Sequence, residues 1–531
     1  MNLLLDVSIA EFNLMQKFRT LVARWLSDDG LAKKAYLNAL AAMVDYGARL
    51  LVGFIVNPIL LAGLGDFLFG VWQILLRAIG YISAASGRPT QALKWTLAAQ
   101  QGSADYERKR RLVGSAVAVW LIFLPIMILI GGVLAWLVPN FLEIPNELAW
   151  SVRLATGILV VNLILLSLAD MPRAILRGEN LGYKRLGLSA VLIFVGAGFT
   201  ILALYLDTGL IGVATAIVIT TLLTGVLFLQ VARKQVSWFG VARSSSQAVR
   251  DFLGLSGWFL VWGLIIKMMM ASDIIILGVF DSVTTVTTYS LTKYVPETII
   301  SLVTIIVFGI TPGLGGIIGA GDLERTARVR DEIMSLTWLI TTAVGTVTIL
   351  WNQTFVRLWV GIEYYAGSLS VVLIVIMAAQ FVLIRNDANL IDLTLNLRQK
   401  VLLGGLSATL SIAFAGVLIG VFNLGIPGLC MGFIAGRSLL SLGYPWLAGR
   451  FLGLSFFVQT KSTIRPAFIA AIFWGLALRL NYRFVVDTWA ALIFSVGITL
   501  AVVSLLAFYG GLVRVQRNRI IRRLRQMIVA V

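Results

Sequence analysis

The chain has no histidine, and among its 531 residues there is a single cysteine, Cys430. Without histidine there is no His-based zinc site, no Ser-His-Asp triad and no imidazole proton relay. One cysteine makes neither an internal disulfide nor a thiolate cluster for a metal. Charge is scarce as well. Only 13% of residues are charged, about half the fraction usual in soluble proteins. Acids are the scarcer sign, with 25 Asp+Glu against 43 Lys+Arg and a formal charge of +18. A P-loop pattern is also missing, which argues against direct ATP use. The run Gly313-Leu314-Gly315-Gly316-Ile317-Ile318-Gly319 is glycine-rich, but it follows an apolar helix rather than a strand and reads as a flexible span exit.

What is abundant is apolar. Hydrophobic residues make up 59% of the chain, and its mean hydropathy is +0.93. Apolar runs near 20 residues recur throughout, the length that crosses a bilayer as a helix. They are continuous rather than alternating, which argues against a membrane β-barrel. The expected fold is therefore an all-α polytopic membrane protein. About fourteen spans are predicted, near 36–62, 66–86, 112–138, 150–172, 186–206, 209–231, 253–279, 282–311, 333–351, 366–386, 401–422, 426–447, 465–482 and 486–512. Before them, Phe12, Met15, Phe18, Val22, Trp25 and Leu26 recur at helical spacing opposite a charged face. Residues 1–35 thus read as an amphipathic segment on the membrane surface rather than a signal peptide.

Loop charge sets the expected orientation. With the N-terminus cytoplasmic, alternate loops and the tail carry 33 of the 43 cations, as the positive-inside rule requires. The opposite loops hold Asp66, Glu143, Glu147, Asp207, Asp281, Glu363 and Asp487, with Arg357 and Arg483. Both termini are therefore expected in the cytoplasm. Most of the +18 is then a topology signal, and no nucleic-acid partner is needed to explain it.

An internal repeat appears at an offset of 217 residues. Gly102, Asp105, Glu107, Arg108 and Arg111 match Gly319, Asp322, Glu324, Arg325 and Arg328, and Asp170 matches Asp387. An even, six-span offset gives both copies the same membrane orientation. It predicts an N-lobe over 36–231, a cytoplasmic linker over 232–252 and a C-lobe over 253–447. Two further spans over 448–512 and a basic tail over 513–531 complete the division.

The same loops carry a family resemblance. Gly102-Ser103-Ala104-Asp105-Tyr106-Glu107-Arg108-Lys109-Arg110, and Pro312 with Gly321-Asp322-Leu323-Glu324-Arg325, resemble cytoplasmic loops of Wzx-like polysaccharide flippases. Those flippases are a branch of the multidrug/oligosaccharidyl-lipid/polysaccharide (MOP) superfamily. Gly65-Asp66 through Gly70-Val71-Trp72, Ala174-Ile175-Leu176-Arg177-Gly178 and Leu358-Trp359-Val360-Gly361 resemble further family motifs in the same order. Many Wzx-like members have twelve spans, and the two extra ones here are more like the lipid II flippase branch. The resemblance implies a two-lobed carrier. Its cargo would be a polyprenyl-diphosphate-linked oligosaccharide, moved across the bacterial inner membrane by alternating access. Its partners would be membrane lipids and the polymerase or glycosyltransferase machinery of polysaccharide synthesis.

Ionisable residues inside spans are costly and usually functional. Arg153 and Arg479 sit near span ends and can snorkel, and Arg385, beside Asp387, reads as structural. Arg49, Arg77, Lys267, Lys293 and Arg437 remain at depth, against Asp45 and Glu297. Asp45 and Arg49 are i and i+4, so they either neutralise each other or face the cavity. Arg77 and Lys267 have no acid one turn away. Span eight carries a polar stripe of Thr285, Tyr289, Lys293, Glu297, Ser301 and Thr304, either lining a cavity or packing on other helices, with Pro296 as a kink or hinge. The surplus of positive charge suits a diphosphate head group held by Arg49, Arg77, Lys267, Lys293, Arg437 and Tyr289. Asp45 and Glu297 are the candidates for H⁺ or Na⁺ coupling; no other cofactor and no metal is expected. Two rival functions stand beside this one: a multidrug exporter of the same superfamily, kept open by Asp45, and a membrane-embedded polymerase or glycosyltransferase. The latter would need a larger extramembrane loop than the sequence offers.

Overall fold

The computed structural model describes residues 31–522, apart from positions 85, 101–102, 186, 320, 394–396, 485 and 520. The amphipathic segment expected before residue 31 and the tail beyond 522 lie outside the described residues. Sixteen α-helices follow in order among the described residues. They are α1 (Leu31–Ala84), α2 (Pro89–Ala99), α3 (Tyr106–Phe141), α4 (Asn146–Ala169), α5 (Met171–Gly178), α6 (Leu188–Tyr205), α7 (Gly209–Gln235) and α8 (Ser246–Phe280). Then come α9 (Val283–Thr292), α10 (Glu297–Gly319), α11 (Leu323–Trp359), α12 (Ser368–Leu393), α13 (Leu397–Gly420), α14 (Gly425–Leu452), α15 (Phe456–Leu480) and α16 (Trp489–Gly511). No strand occurs among the described residues.

Twelve of these helical stretches are long and apolar enough to cross a membrane, so the fourteen separate spans expected from the sequence are not reproduced as such. Two local features account for the difference. The first two expected spans share α1, which turns at Gly65 (φ 74°, ψ 169°), a left-handed position that glycine occupies without a Cβ penalty. The expected 282–311 span is not one kinked helix. It is divided into α9 and α10 around 293–296, where Pro296 has no N–H to continue the ladder.

Side-chain caps start several helices, each satisfying an orphan N–H of the first turn. Asp105 Oδ1 accepts from Arg108 N and Asp322 Oδ1 from Arg325 N, both at 2.9 Å. These two caps are the repeat motif, so the offset of 217 builds the same helix start twice. Ser245, Ser282 and Thr488 cap α8, α9 and α16 in the same manner.

Packing follows the apolar faces. Helix α4 lies between α3 and α7, α6 packs on α7 and α1, and α14 packs on α12 and α13. Helices α15 and α16 lean on α11, where Trp351 Nε1 donates to Thr499 Oγ1 at 3.1 Å. Large apolar side chains remain outside: Leu129, Trp136, Phe468, Ile493 and Phe494 are 63–71% exposed, a surface compatible with lipid and not with water.

A tight seam joins α13 and α14. Gly428, Gly432 and Gly436 recur every four residues, and Ser407 Oγ donates to Gly436 O at 3.0 Å. A Cβ on Gly432 would lie 2.4 Å from Ala415 N, and one on Gly436 2.3 Å from Ser411 N. Small residues let these backbones meet. Alanine at either glycine must push the helices apart, at a cost of about 1–3 kcal/mol. Each substitution is expected to lower the melting temperature of the purified protein, and unchanged melting in both would contradict this packing.

Two of the cations assigned to the cytoplasmic loops form buried pairs. Lys109 bonds Glu179 at 2.9 Å under Trp238, and Lys400 bonds Asp392 with its ammonium 3.7 Å from the Trp262 ring centre. Asp387, which the sequence sets beside Arg385, instead holds Arg330 through two bonds of 2.6 and 2.9 Å.

Candidate functional site

The division of span eight sets up the site. Thr292 closes α9, and its ends are tied off by three bonds: Asn352 Nδ2 donates to its carbonyl at 3.0 Å, its hydroxyl donates to Tyr364 O at 3.0 Å, and Ala366 N donates to that hydroxyl at 2.9 Å. The turn then presents Lys293 inward, between α8 and the start of α10. Lys293 Nζ lies 2.8 Å from Asp273 Oδ2 and 3.0 Å from Glu297 Oε1. Arg77, from the second half of α1, reaches Glu297 Oε1 at 3.6 Å. Tyr289 Oη donates to Asp273 Oδ2 at 2.8 Å, and Ile274 N donates to Oδ1 at 2.9 Å. Asp273 therefore accepts from three donors. A buried carboxylate needs that many compensating contacts.

This network lies against a cavity of about 360 Å³. Asn57, Gln73 and Arg77 of α1 line it, with Thr200 of α6, Ser290 of α9, and Lys293 and Glu297 at the break. Phe69, Trp72 and Tyr294 give it aromatic walls. Behind the Lys293–Asp273 pair is a smaller cavity of about 40 Å³ that Arg437 also lines. Arg437 is buried, donates to Met377 O at 3.5 Å and to Met269 O, and lies between the rings of Phe433 and Phe381 at 5.0 and 5.4 Å. Beside the large cavity, aromatic contacts join α1 to Tyr294 at the break and to Trp359 of α11. Tyr294 Oη donates to Leu50 O at 2.6 Å, Trp359 Nε1 donates to Phe54 O at 2.8 Å, and the Phe54 and Trp359 rings stack at 5.8 Å.

Of the residues singled out from the sequence, Arg77, Tyr289, Lys293, Pro296 and Glu297 come together here, and Arg437 stands behind them. Lys267 does not line the cavity; it lies in the seam between α1 and α8, against Gly80. Asp45 and Arg49 fall elsewhere, in the electrostatic surroundings of Arg177 with Asp170 and Arg173. Asp45 is buried and Arg49 exposed, with no ion pair to Arg49 among the described residues. Lys94 of α2 faces the same cluster, and burial together with Arg177 holds its ammonium below the usual lysine range. Asp273 is the residue that sequence reasoning missed. The count of two deep acids omitted it, although a lone carboxylate between Met268-Met269-Met270 and Ile274-Ile275-Ile276 is a clear signal of a functional or paired group. Among the described residues, no three His, Cys, Asp or Glu side chains gather as metal ligands.

No protein-family model matches the chain, and no curated protein matches it by sequence. Solved structures do match by fold. The lipid II flippase MurJ in an inward closed conformation aligns with a TM-score of 0.65 at 13% identity, over 88% of this chain and 98% of that one. An inward-facing multidrug-resistance MATE family transporter of the MOP superfamily aligns with a TM-score of 0.59 at 14% identity, over 78% and 98%. A MOP superfamily transporter from Pyrococcus furiosus, described as having a binding pocket of reversed polarity, aligns at 0.57 and 14% identity, over 79% and 96%. The chain thus has the all-α polytopic membrane fold shared by MATE transporters and the lipid II flippase MurJ.

Proposed function

We propose that the protein is a flippase that carries a polyprenyl-diphosphate-linked oligosaccharide across the bacterial inner membrane by alternating access of two lobes, 36–231 and 253–447. The observation that carries this reading is the charge of the site. Arg77, Lys293 and Arg437 stand in or beside the cavity, with Lys267 in the adjoining seam, against two carboxylates, Asp273 and Glu297. Two positive charges are left over, and a diphosphate is the ligand that balances them. Gln73, Asn57 and Ser290 offer hydrogen bonds suited to sugar hydroxyls. The lipid tail stays in the bilayer while the head group crosses, with both termini cytoplasmic and synthesis enzymes supplying and consuming the cargo on either side.

Glu297 bridges Lys293 and Arg77, so a proton or Na⁺ bound there would release Arg77 for the head group while Lys293 stays paired with Asp273. Asp45, in the separate Arg177 cluster, would act on that cluster alone. Transport that continues after both ion gradients collapse rejects this coupling.

A second reading, export of cationic drugs, is favoured by two observations: the aromatic walls beside a cavity-facing carboxylate, Glu297, and the MATE fold. Deletion of the gene followed by lipid analysis separates the two. The flippase reading expects lipid-linked oligosaccharide to accumulate on the cytoplasmic leaflet with drug sensitivity unchanged. Drug sensitivity with normal glycans overturns it.

A further inference from the structure

The α1–α8 seam is antiparallel and continuous. Ile74 packs on Gly278, Tyr81 Oη bonds Ser272 Oγ, Lys267 lies across Gly80, and Arg88 lies across Gly263. A Cβ on Gly80 would sit 3.1 Å from Lys267 Nζ, and one on Gly263 would sit 2.8 Å from Arg88 Nη1. Gly80 of α1 thus makes room for Lys267 of α8, and Gly263 of α8 for Arg88 from the turn that follows α1. The seam then leads from Arg77, in the cavity wall, past Lys267 to Arg88, which caps the start of α2 just beyond α1.

These cations are not balanced. Arg77 has Glu297. Lys267 is partly buried, and the charges that act on it are those of Arg77 and Arg88, both of its own sign. No carboxylate among the described residues lies within ion-pair distance of Lys267 or Arg88. Partly buried like charges repel, and holding them unpaired in a helix seam is unfavourable. Arginine and lysine are the side chains that recover this cost when a phosphate oxygen arrives.

The geometry points to a second anion site, formed by Lys267 and Arg88 in the α1–α8 seam, that takes a diphosphate group between the end of α1 and the central cavity. Its occupant is a dianion of the phosphate class, whether the head group of a lipid or free in solution. An anion between Lys267 and Arg88 turns a repulsive seam into a bridged one, so occupancy favours the closed seam seen here. The site rests on the flippase reading only for what bears the diphosphate.

The test uses the whole protein in nanodiscs, at low salt, with two probes. Inorganic pyrophosphate titrates the free-anion arm and a short polyprenyl diphosphate the lipid arm. Lys267→Gln and Arg88→Gln are each expected to weaken the bound probe about tenfold or more. Lys267→Arg should retain binding, Gly263→Ala, which crowds the Arg88 guanidinium, should weaken it, and Arg450→Gln, a control beside Trp446, should leave it unchanged. Binding in the lipid arm alone assigns the site to a head group, and binding in both arms assigns it to the phosphate chemistry itself. The proposal is overturned if the wild type binds neither probe, or if both glutamine variants bind as the wild type does. Arg88→Gln keeps the test decisive should Lys267→Gln fail to fold. If the probes bind through Lys267 and Arg88 yet no lipid is flipped, the seam site stands and the flippase reading falls.

Discussion

Asp273→Ala is expected to destabilise the protein by about 3–5 kcal/mol, the cost of leaving a buried charge without its partner. Three groups lose their acceptor at once: the Lys293 ammonium, the Tyr289 hydroxyl and the Ile274 amide. Glu297 remains near Lys293 but is itself about half exposed and shared with Arg77, so it does not replace a carboxylate enclosed among apolar residues. Removing both charges tests the cause. Asp273→Leu combined with Lys293→Met deletes the pair together, and apolar replacement of a buried ion pair is often neutral. The double variant is therefore expected to melt closer to the wild type than Asp273→Ala does. Additive losses would show that the two residues contribute independently, against the network described here.

The second large effect is on transport. Arg77 lines the cavity, and its ion-pair partner Glu297 is held jointly with Lys293. Its guanidinium is thus the cation freest to turn toward an incoming phosphate. Arg77→Gln removes a charge-assisted contact worth about 1.5–3 kcal/mol, a loss of roughly 10- to 150-fold. Arg77→Lys keeps the charge but not the planar fork, so it should fall between the two. Arg77 is only partly buried, and its loss leaves the Lys293–Asp273 pair intact, so expression and melting should hold while transport falls. The accumulation of lipid-linked oligosaccharide in a strain carrying each variant measures this, and normal surface glycan with Arg77→Gln would remove Arg77 from the site.

Much of the fold was legible because the bilayer constrains sequence so strongly. Apolar runs near 20 residues located most helices to within a few positions, and the cap motifs at Asp105 and Asp322 carried the repeat. What escaped was local. Helix α2 is not legible as a span, since Pro89–Ala99 is too short and too mixed in composition. The division at 293–296 looked like a kink, because Pro296 signals a missing donor but not how Asn352, Tyr364 and Ala366 would secure the broken end. In the site, helical periodicity groups Tyr289, Lys293 and Glu297, which meet in the structure even though the helix breaks between Thr292 and Glu297. It carried no information about which helix lay opposite, so the Lys293–Asp273 pair, with its partners on different helices, was out of reach. The same limit applies to Asp45 and Arg49. Spacing within one helix placed them side by side, while tertiary packing set Asp45 inside and Arg49 at the surface, near Arg177 rather than near Lys293.

The central claim is that the cavity serves an anionic, lipid-linked head group. Its most direct measurement is made in proteoliposomes holding the purified protein, with a fluorescent polyprenyl-diphosphate disaccharide in one leaflet and a cationic dye supplied separately. The expected result is translocation of the lipid by the wild type, a loss of roughly 10- to 150-fold with Arg77→Gln, and no accumulation of the dye. Accumulation of the dye while the lipid stays in its leaflet would contradict the account, as would lipid flipping that proceeds equally well without Arg77.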